Sequence, residues 1–160
     1  VLNIDEERLR ESDTLAREYA VMLGCSQTQV VVVSAQIESE LSSLSDSDQA
    51  LYLKDLGLAQ SGLERLITTA YETLKLQSFL TAGEKEVRAW TIRQGTTAPQ
   101  AAGVIHTDFE KKFIKAKVSS YADFVAHNGW KGVKESGQLR LEGREYVMQE
   151  GDVVEFMVGS

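Results

Sequence analysis

Thr81-Ala-Gly-Glu-Lys-Glu-Val-Arg-Ala-Trp-Thr-Ile-Arg93 and Ala101-Ala-Gly-Val-Ile-His-Thr-Asp-Phe-Glu-Lys-Lys-Phe113 are the stretches that decide how this chain folds. In the first, Val87, Ala89 and Thr91 alternate with Arg88, Trp90 and Ile92, the period-two pattern of a strand. Pro99 is the only proline, and it stands in the first turn of a helix predicted over residues 98–104, where its missing N–H has no intrahelical partner to lose. Residues 114–121 alternate Ile, Ala and Val with Lys, as a half-solvated strand does. A short helix is expected over 121–128 and a glycine-punctuated loop over 129–137. Residues 139–142, 145–149 and 152–158 predict three strands, turned at Glu142-Gly143 and Glu150-Gly151. The second half is therefore expected to be mixed α+β, with an antiparallel-rich sheet.

The pattern ahead of Gln77 is different. Leu15, Tyr19 and Met22 recur at helical spacing over 13–23, and Gly24 stops that helix. Residues 29–33, Gln-Val-Val-Val-Val, suit a strand covered on both faces, as in a parallel sheet. Residues 37–44 are amphipathic or a turn. Asp46 or Ser47 is placed to cap a short helix through Leu51 and Leu53, ended by Gly57. Ser61 and Glu64 have capping-box spacing. The helix they open would run to about Leu76 and bury Leu63, Leu66, Ile67, Ala70, Tyr71 and Leu74. Strand and helix alternate here, as in the tail of an α/β sheet.

Composition narrows the function. A globular chain of 160 residues holds one domain or two small ones. The formal charge of −7 comes entirely from residues 1–80, with 6 Lys/Arg against 13 Asp/Glu; residues 81–160 carry 11 of each. That balance argues against the whole chain acting as a nonspecific nucleic-acid binder, while leaving room for a basic face in the second half. The single cysteine, Cys25, excludes an internal disulfide and a cysteine-built zinc site. It reads as a small hydrophobe at a helix end. No apolar run reaches the ~20 residues of a membrane span, and Val1 to Asp5 lacks the features of a signal peptide. No membrane partner and a cytoplasmic location are expected. There is no Gly-x-x-x-x-Gly-Lys-[Ser/Thr] to cradle phosphates and no His-Glu-x-x-His. His106 and His127 share no carboxylate pattern, so no metal site and no catalytic residue is assigned.

Asn3-Ile4-Asp5-Glu6 opens the chain, and Ser34-Ala35-Gln36 follows the valine run. With the two stretches quoted first, and with residues 139–156 near the end, these segments resemble the YchF/Obg-like ATPases, P-loop NTPases that end in a TGS domain. The resemblance implies that residues 1–76 are the last part of a nucleotide-binding domain and that residues 77–160 are a ubiquitin-like β-grasp TGS domain. It implies that Asn3, Ile4 and Glu6 form the Asn-x-x-Glu motif that this family carries where most GTPases have Asn-Lys-x-Asp. A lone Asn-x-x-Glu is also a helix cap followed by an acid. In the family the motif goes with a preference for ATP over GTP. Ser34, Ala35 and Gln36 resemble the second base-contacting loop, usually Ser-Ala-Lys, with Gln36 departing from the lysine. The last residues, 157–160, depart from the usual Phe-Asn-Val ending. The intact protein is expected to use ATP and Mg2+. The chain alone, without a P-loop, is expected to bind neither and to be inactive.

The family also implies contact with the ribosome or RNA through the TGS domain. Lys111, Lys112, Lys115 and Lys117 form the densest basic cluster, with Lys115 and Lys117 on one strand face. The cluster is either a solvated face or a phosphate-contacting patch. Trp130, between Gly129 and Lys131, is the tryptophan placed to meet a base; Trp90 alternates within a strand and belongs to the core. His106-Thr107-Asp108-Phe109 is either a turn capped by Thr107 or Asp108 or an exposed recognition loop. The alternative to the ATPase assignment is a TGS-type module that binds RNA or ribosome with no nucleotide role.

Overall fold

The computed structural model of the chain describes residues 1–83 and 86–159; Glu84 and Lys85 of the stretch quoted first, and Ser160, lie outside the described residues. The chain divides into two compact units, Val1–Leu74 and Lys75–Ser160.

The first unit runs β1 (Leu2–Asn3), a 3-10 turn (Glu6–Glu11), α1 (Ser12–Leu23), a second 3-10 turn (Gln27–Gln29), β2 (Val32–Val33), α2 (Ala35–Leu41), α3 (Asp46–Asp55) and α4 (Gly62–Leu74). β1 and β2 are parallel, with Leu2 opposite Val32 and Asn3 opposite Val33. Leu15, Ala16 and Val32 form a buried cluster, with Leu2, Ile4 and Val30 packed against it. The helix ends follow their residues. Gly24 takes the left-handed conformation (φ +65°) that stops α1. Ser61 Oγ accepts from Glu64 N (3.1 Å) while Glu64 Oε2 accepts from Ser61 N (2.9 Å), the expected capping box.

Several local expectations are corrected. α3 is capped by Ser45, one residue before Asp46; its Oγ accepts from Asp48 N and donates to Asp48 Oδ2 at 2.7 Å. The valine run pairs only over Val32–Val33, because Val30 is spent as the cap of the 3-10 turn before it. α1 buries Leu15, Ala16 and Ala20 and leaves Tyr19 and Met22 exposed. α4 leaves Leu63, Ile67 and Leu74 more than half exposed, at 56, 51 and 58%. A two-stranded sheet is too narrow to cover the apolar stripe of a thirteen-residue helix.

The second unit runs β3 (Leu76–Ala82), β4 (Val87–Arg93), α5 (Ala98–Ile105), α6 (Thr107–Lys111), β5 (Phe113–Ser120), α7 (Tyr121–Ala126), α8 (Trp130–Glu135), β6 (Arg140–Glu142) and β7 (Asp152–Val158). The sheet order is β4-β3-β7-β5-β6. The central pair β3–β7 is parallel and the other neighbours are antiparallel. The unit is thus a mixed α/β structure on one mixed sheet. Phe79, Ile92, Ala116, Val118 and Val154 meet Ala98, Ala101 and Ala102 of α5 in the core. The three alanines let the helix approach closely, and Pro99 lies in its first turn as expected.

Two expectations for this unit are also corrected. The loop of 129–137 contains α8, whose Val133 is fully buried. Residues 145–149 make only an isolated bridge between Thr97 and Val147. The cause is Asp152, 3% exposed. Its carboxylate accepts from Tyr146 OH (2.8 Å), Gln149 N (2.9 Å) and Arg140 Nη2 (3.2 Å), which curls the segment around a charge rather than extending it. Burial and the Asp152 carboxylate together push the Tyr146 hydroxyl up to about 12.

Candidate functional site

The carboxyl ends of two adjacent parallel strands are where open α/β sheets gather their ligand loops. β1 ends at Asn3 and β2 at Val33, side by side. Ile4 N donates to Val33 O at 2.9 Å, continuing the ladder one residue beyond the strands. Asn3 then turns its side chain across the gap, and Asn3 Oδ1 accepts from Ala35 N at 2.9 Å. The two sequence motifs, 32 positions apart, are thereby joined by one hydrogen bond. With its oxygen committed, the Asn3 amide keeps two N–H donors for a ligand.

The neighbours of this bond sort the remaining residues. Ser34 is buried (3% exposed) and its carbonyl accepts from Glu38 N in the first turn of α2. Ala35 and Gln36 are exposed. Gln36 Nε2 donates to Glu40 Oε1 (3.2 Å), and Tyr52 OH of α3 donates to the other oxygen, Oε2, at 2.6 Å. These bonds hold the Glu40 carboxyl below the ordinary glutamate value, the Tyr52 bond contributing most. The Tyr52 hydroxyl is pushed up to about 12, first by its bond to Glu40, then by burial and by the charges of Glu40 and Glu6. Glu6, in the turn after β1, therefore lies within electrostatic reach of the same group.

α2 is itself clamped. Both carboxylate oxygens of Glu38 accept from the start of α4, from Gly62 N at 2.7 Å and Leu63 N at 3.2 Å. Gly62 is required there, since a Cβ would stand 2.8 Å from both Glu38 Oε1 and Val33 Cγ1. Arg65 Nη2 donates to Val32 O at 2.7 Å, tying α4 to β2. Sequence reasoning missed Glu38, Glu40, Tyr52 and Arg65. The Gln36–Glu40 spacing of i, i+4 was a signal for one of them; the Glu38–Gly62 and Arg65–Val32 contacts span 24 and 33 positions and left no local trace.

The basic cluster lies in the second unit. Lys111 and Lys112 are exposed at the end of α6. Lys115 and Lys117 sit two apart on β5, on the face opposite buried Ala116 and Val118. Lys117 Nζ pairs with Glu155 Oε2 at 3.0 Å. Trp130 is half-buried; its Nε1–H donates to Ala82 O (2.8 Å) and its ring meets Phe124 edge-on at 5.0 Å. It lines a groove of about 640 Å³ with Val87, Phe124, Gly129 and Glu155. In the His106–Phe109 motif the cap is His106, whose Nδ1 accepts from Asp108 N at 3.2 Å, rather than Thr107 or Asp108. Among the described residues no group of three or more His, Cys, Asp or Glu side chains could hold a metal ion, and no helix is long and apolar enough to cross a membrane.

Comparison with known proteins converges on one family. Residues 76–159 match the family model described as "YchF-GTPase_C: Protein of unknown function (DUF933)". A ribosome-binding ATPase YchF of Haemophilus influenzae is 48% identical over 158 residues, 98% of this chain and 43% of that protein. The protein of the same name in Bacillus subtilis is 44% identical over 161 residues, again 98% of this chain and 43% of the relative. Obg-like ATPase 1 of Pongo abelii is 46% identical over 127 residues, 79% of this chain and 32% of its own length. The structure of the Schizosaccharomyces pombe YchF GTPase superposes with a TM-score of 0.80 at 35% identity, covering 97% of this chain and 42% of that one. The chain spans less than half the length of the curated relatives it matches. From β1 to β7 the resemblance is continuous, and the chain belongs to the YchF family, of which it carries the C-terminal YchF-GTPase_C domain.

Proposed function

We propose that this chain is the base-reading and ribosome-facing portion of an ATP-preferring P-loop ATPase. Residues 1–76 end its nucleotide-binding domain and residues 77–160 form its TGS domain. The observation that carries the nucleotide half is the Asn3–Ala35 hydrogen bond, which sets two base loops edge to edge at the carboxyl ends of parallel strands. Asn3, Ile4 and Glu6 face one side of an adenine, and Ala35 and Gln36 the other, with Ser34 holding the loop from below. GTP binds more weakly. Three of these groups are flat amides or a carboxylate, which suit the donors and acceptors on a purine edge. The sequence contains no P-loop motif, and among the described residues no group of three or more His, Cys, Asp or Glu could hold a metal ion; phosphate and magnesium binding are assigned to the P-loop part of the longer protein, and the chain alone is expected not to turn over ATP. The exposed Leu63, Ile67 and Leu74 of α4 are the surface that further sheet would cover in that protein.

The ribosome half is supported by the mixed sheet with its central parallel pair, which fits a β-grasp TGS domain. The lysines of β5 and α6 supply phosphate contacts, and Trp130 packs at the edge of the same domain. Location in the cytoplasm follows from this partner. The test is co-sedimentation of the 160-residue chain with ribosomes over a salt series. The chain is expected to pellet with ribosomes at 50 mM salt. Reversing Lys111, Lys112 and Lys115 to Glu is expected to weaken binding about tenfold and to flatten its salt dependence by about three phosphate contacts. Binding that ignores both salt and the three lysines would remove this half of the proposal.

A further inference from the structure

Gln36 occupies the place of a cation, and its side chain is not loose. Its amide nitrogen donates to Glu40 Oε1 at 3.2 Å, and the second oxygen of Glu40 is taken by Tyr52 OH at 2.6 Å. Glu40 is thus held from both sides, one partner coming from its own helix α2 and the other from α3. An ionised carboxylate can only accept. It therefore fixes the Gln36 amide with the NH2 toward Glu40 and leaves the carbonyl oxygen as the group turned away from it. Tyr52 is the anchor of the arrangement, because it brings in a second helix and makes the shorter of the two bonds. Glu6, from the β1 side, lies within electrostatic reach of Tyr52. Groups from two helices, α2 and α3, therefore meet at Glu40 beside Gln36.

We infer that Tyr52 and Glu40 are positioning residues of the nucleotide-base site, acting through Gln36, whose carbonyl oxygen they present to an amino group on the base. This rests on the proposed base site. Neither residue touches the ligand. Their contribution is to settle the orientation of Gln36 before the nucleotide arrives, which lowers the ordering cost of binding. The interaction is made equally in ground and transition states, so its loss raises KM and leaves kcat alone.

The experiment uses the full-length protein and steady-state ATP hydrolysis. Tyr52→Phe is expected to raise KM for ATP about fivefold with kcat within a factor of two and an unchanged melting temperature. Gln36→Ala is expected to raise KM by a similar factor. Combined with Gln36→Ala, Tyr52→Phe is expected to add nothing, because its effect travels only through that side chain. If Tyr52→Phe raises KM equally with and without Gln36, it acts on the fold at large and the inference is overturned. If Tyr52→Phe leaves KM unchanged while Asn3→Ala raises it, the inference also fails but the base site stands. If Asn3→Ala has no effect either, the base site itself is wrong.

Discussion

Gly132→Ala is expected to destabilise the second unit by about 3 kcal/mol, a large effect for one methyl group. The cause is geometric. A Cβ on Gly132 would stand 1.8 Å from His127 O and 2.8 Å from its carbonyl carbon, and neither is a flexible side-chain end. His127 closes α7 and Gly132 lies in the first turn of α8, so the methyl drives the two short helices apart. α8 carries Val133, fully buried, and Trp130, whose indole N–H holds Ala82 O. Both leave their places when the helix lifts. The control is Gly103→Ala. There the new Cβ meets Glu110 Oε2 at 2.6 Å and Cβ at 3.1 Å, and most of that side chain can swing into solvent. It should cost less than about 1 kcal/mol, with the better helix propensity of alanine offsetting part. Thermal unfolding followed by tryptophan fluorescence separates the two, since Gly132→Ala should lose its Trp130 signal as well as stability. Equal melting temperatures for the two variants would show that α7 and α8 are not in close contact.

The second large effect is on nucleotide binding. Asn3→Ala in the full-length protein is expected to raise KM for ATP by about 30- to 100-fold, since it removes two hydrogen bonds of about 1 kcal/mol or more each. One is the bond to Ala35 N that holds the second loop in place. The other is the proposed bond from the Asn3 amide to the base. Asn3→Asp separates them. It keeps an oxygen for Ala35 N and loses the N–H donors, so its KM should rise by only about tenfold. Asn3 is exposed, and both variants should fold with stability changed by less than about 1 kcal/mol. Identical kinetics for wild type and Asn3→Ala would mean that Asn3 is only a strand-end tie.

Much of this architecture is legible in the sequence, and the exceptions have physical causes. Gly24, the Ser61–Glu64 box and Pro99 mark their helix ends through local chemistry, so short-range reasoning finds them. β4 declares itself through the alternation of Val87 to Ile92. Residues 145–149 alternate almost as well, yet they wrap a buried aspartate. Periodicity cannot register a charge that sits beyond the segment's end. The helix over 130–135 is hidden because glycines at 129 and 132 read as a loop, whereas Gly132 is where the two helices touch. The six apolar positions assigned to α4 follow helical periodicity, which predicts a stripe but not whether anything covers it. At the candidate site, Asn3 and Ala35 are picked out by the family resemblance. Their supports Glu38, Glu40 and Tyr52 are not, because hydrogen bonds between helices depend on packing that no local pattern encodes.

The most direct measurement is photolabelling of the full-length protein with 2-azido-ATP, followed by mapping of the labelled peptides. The azide sits on the base, so the label reports which residues face it. Label is expected within residues 1–41, at the loops of Asn3 and Ala35, protected by excess ATP more than by excess GTP. Label confined to residues 75–159, or to segments outside this chain with none in residues 1–41, would contradict it.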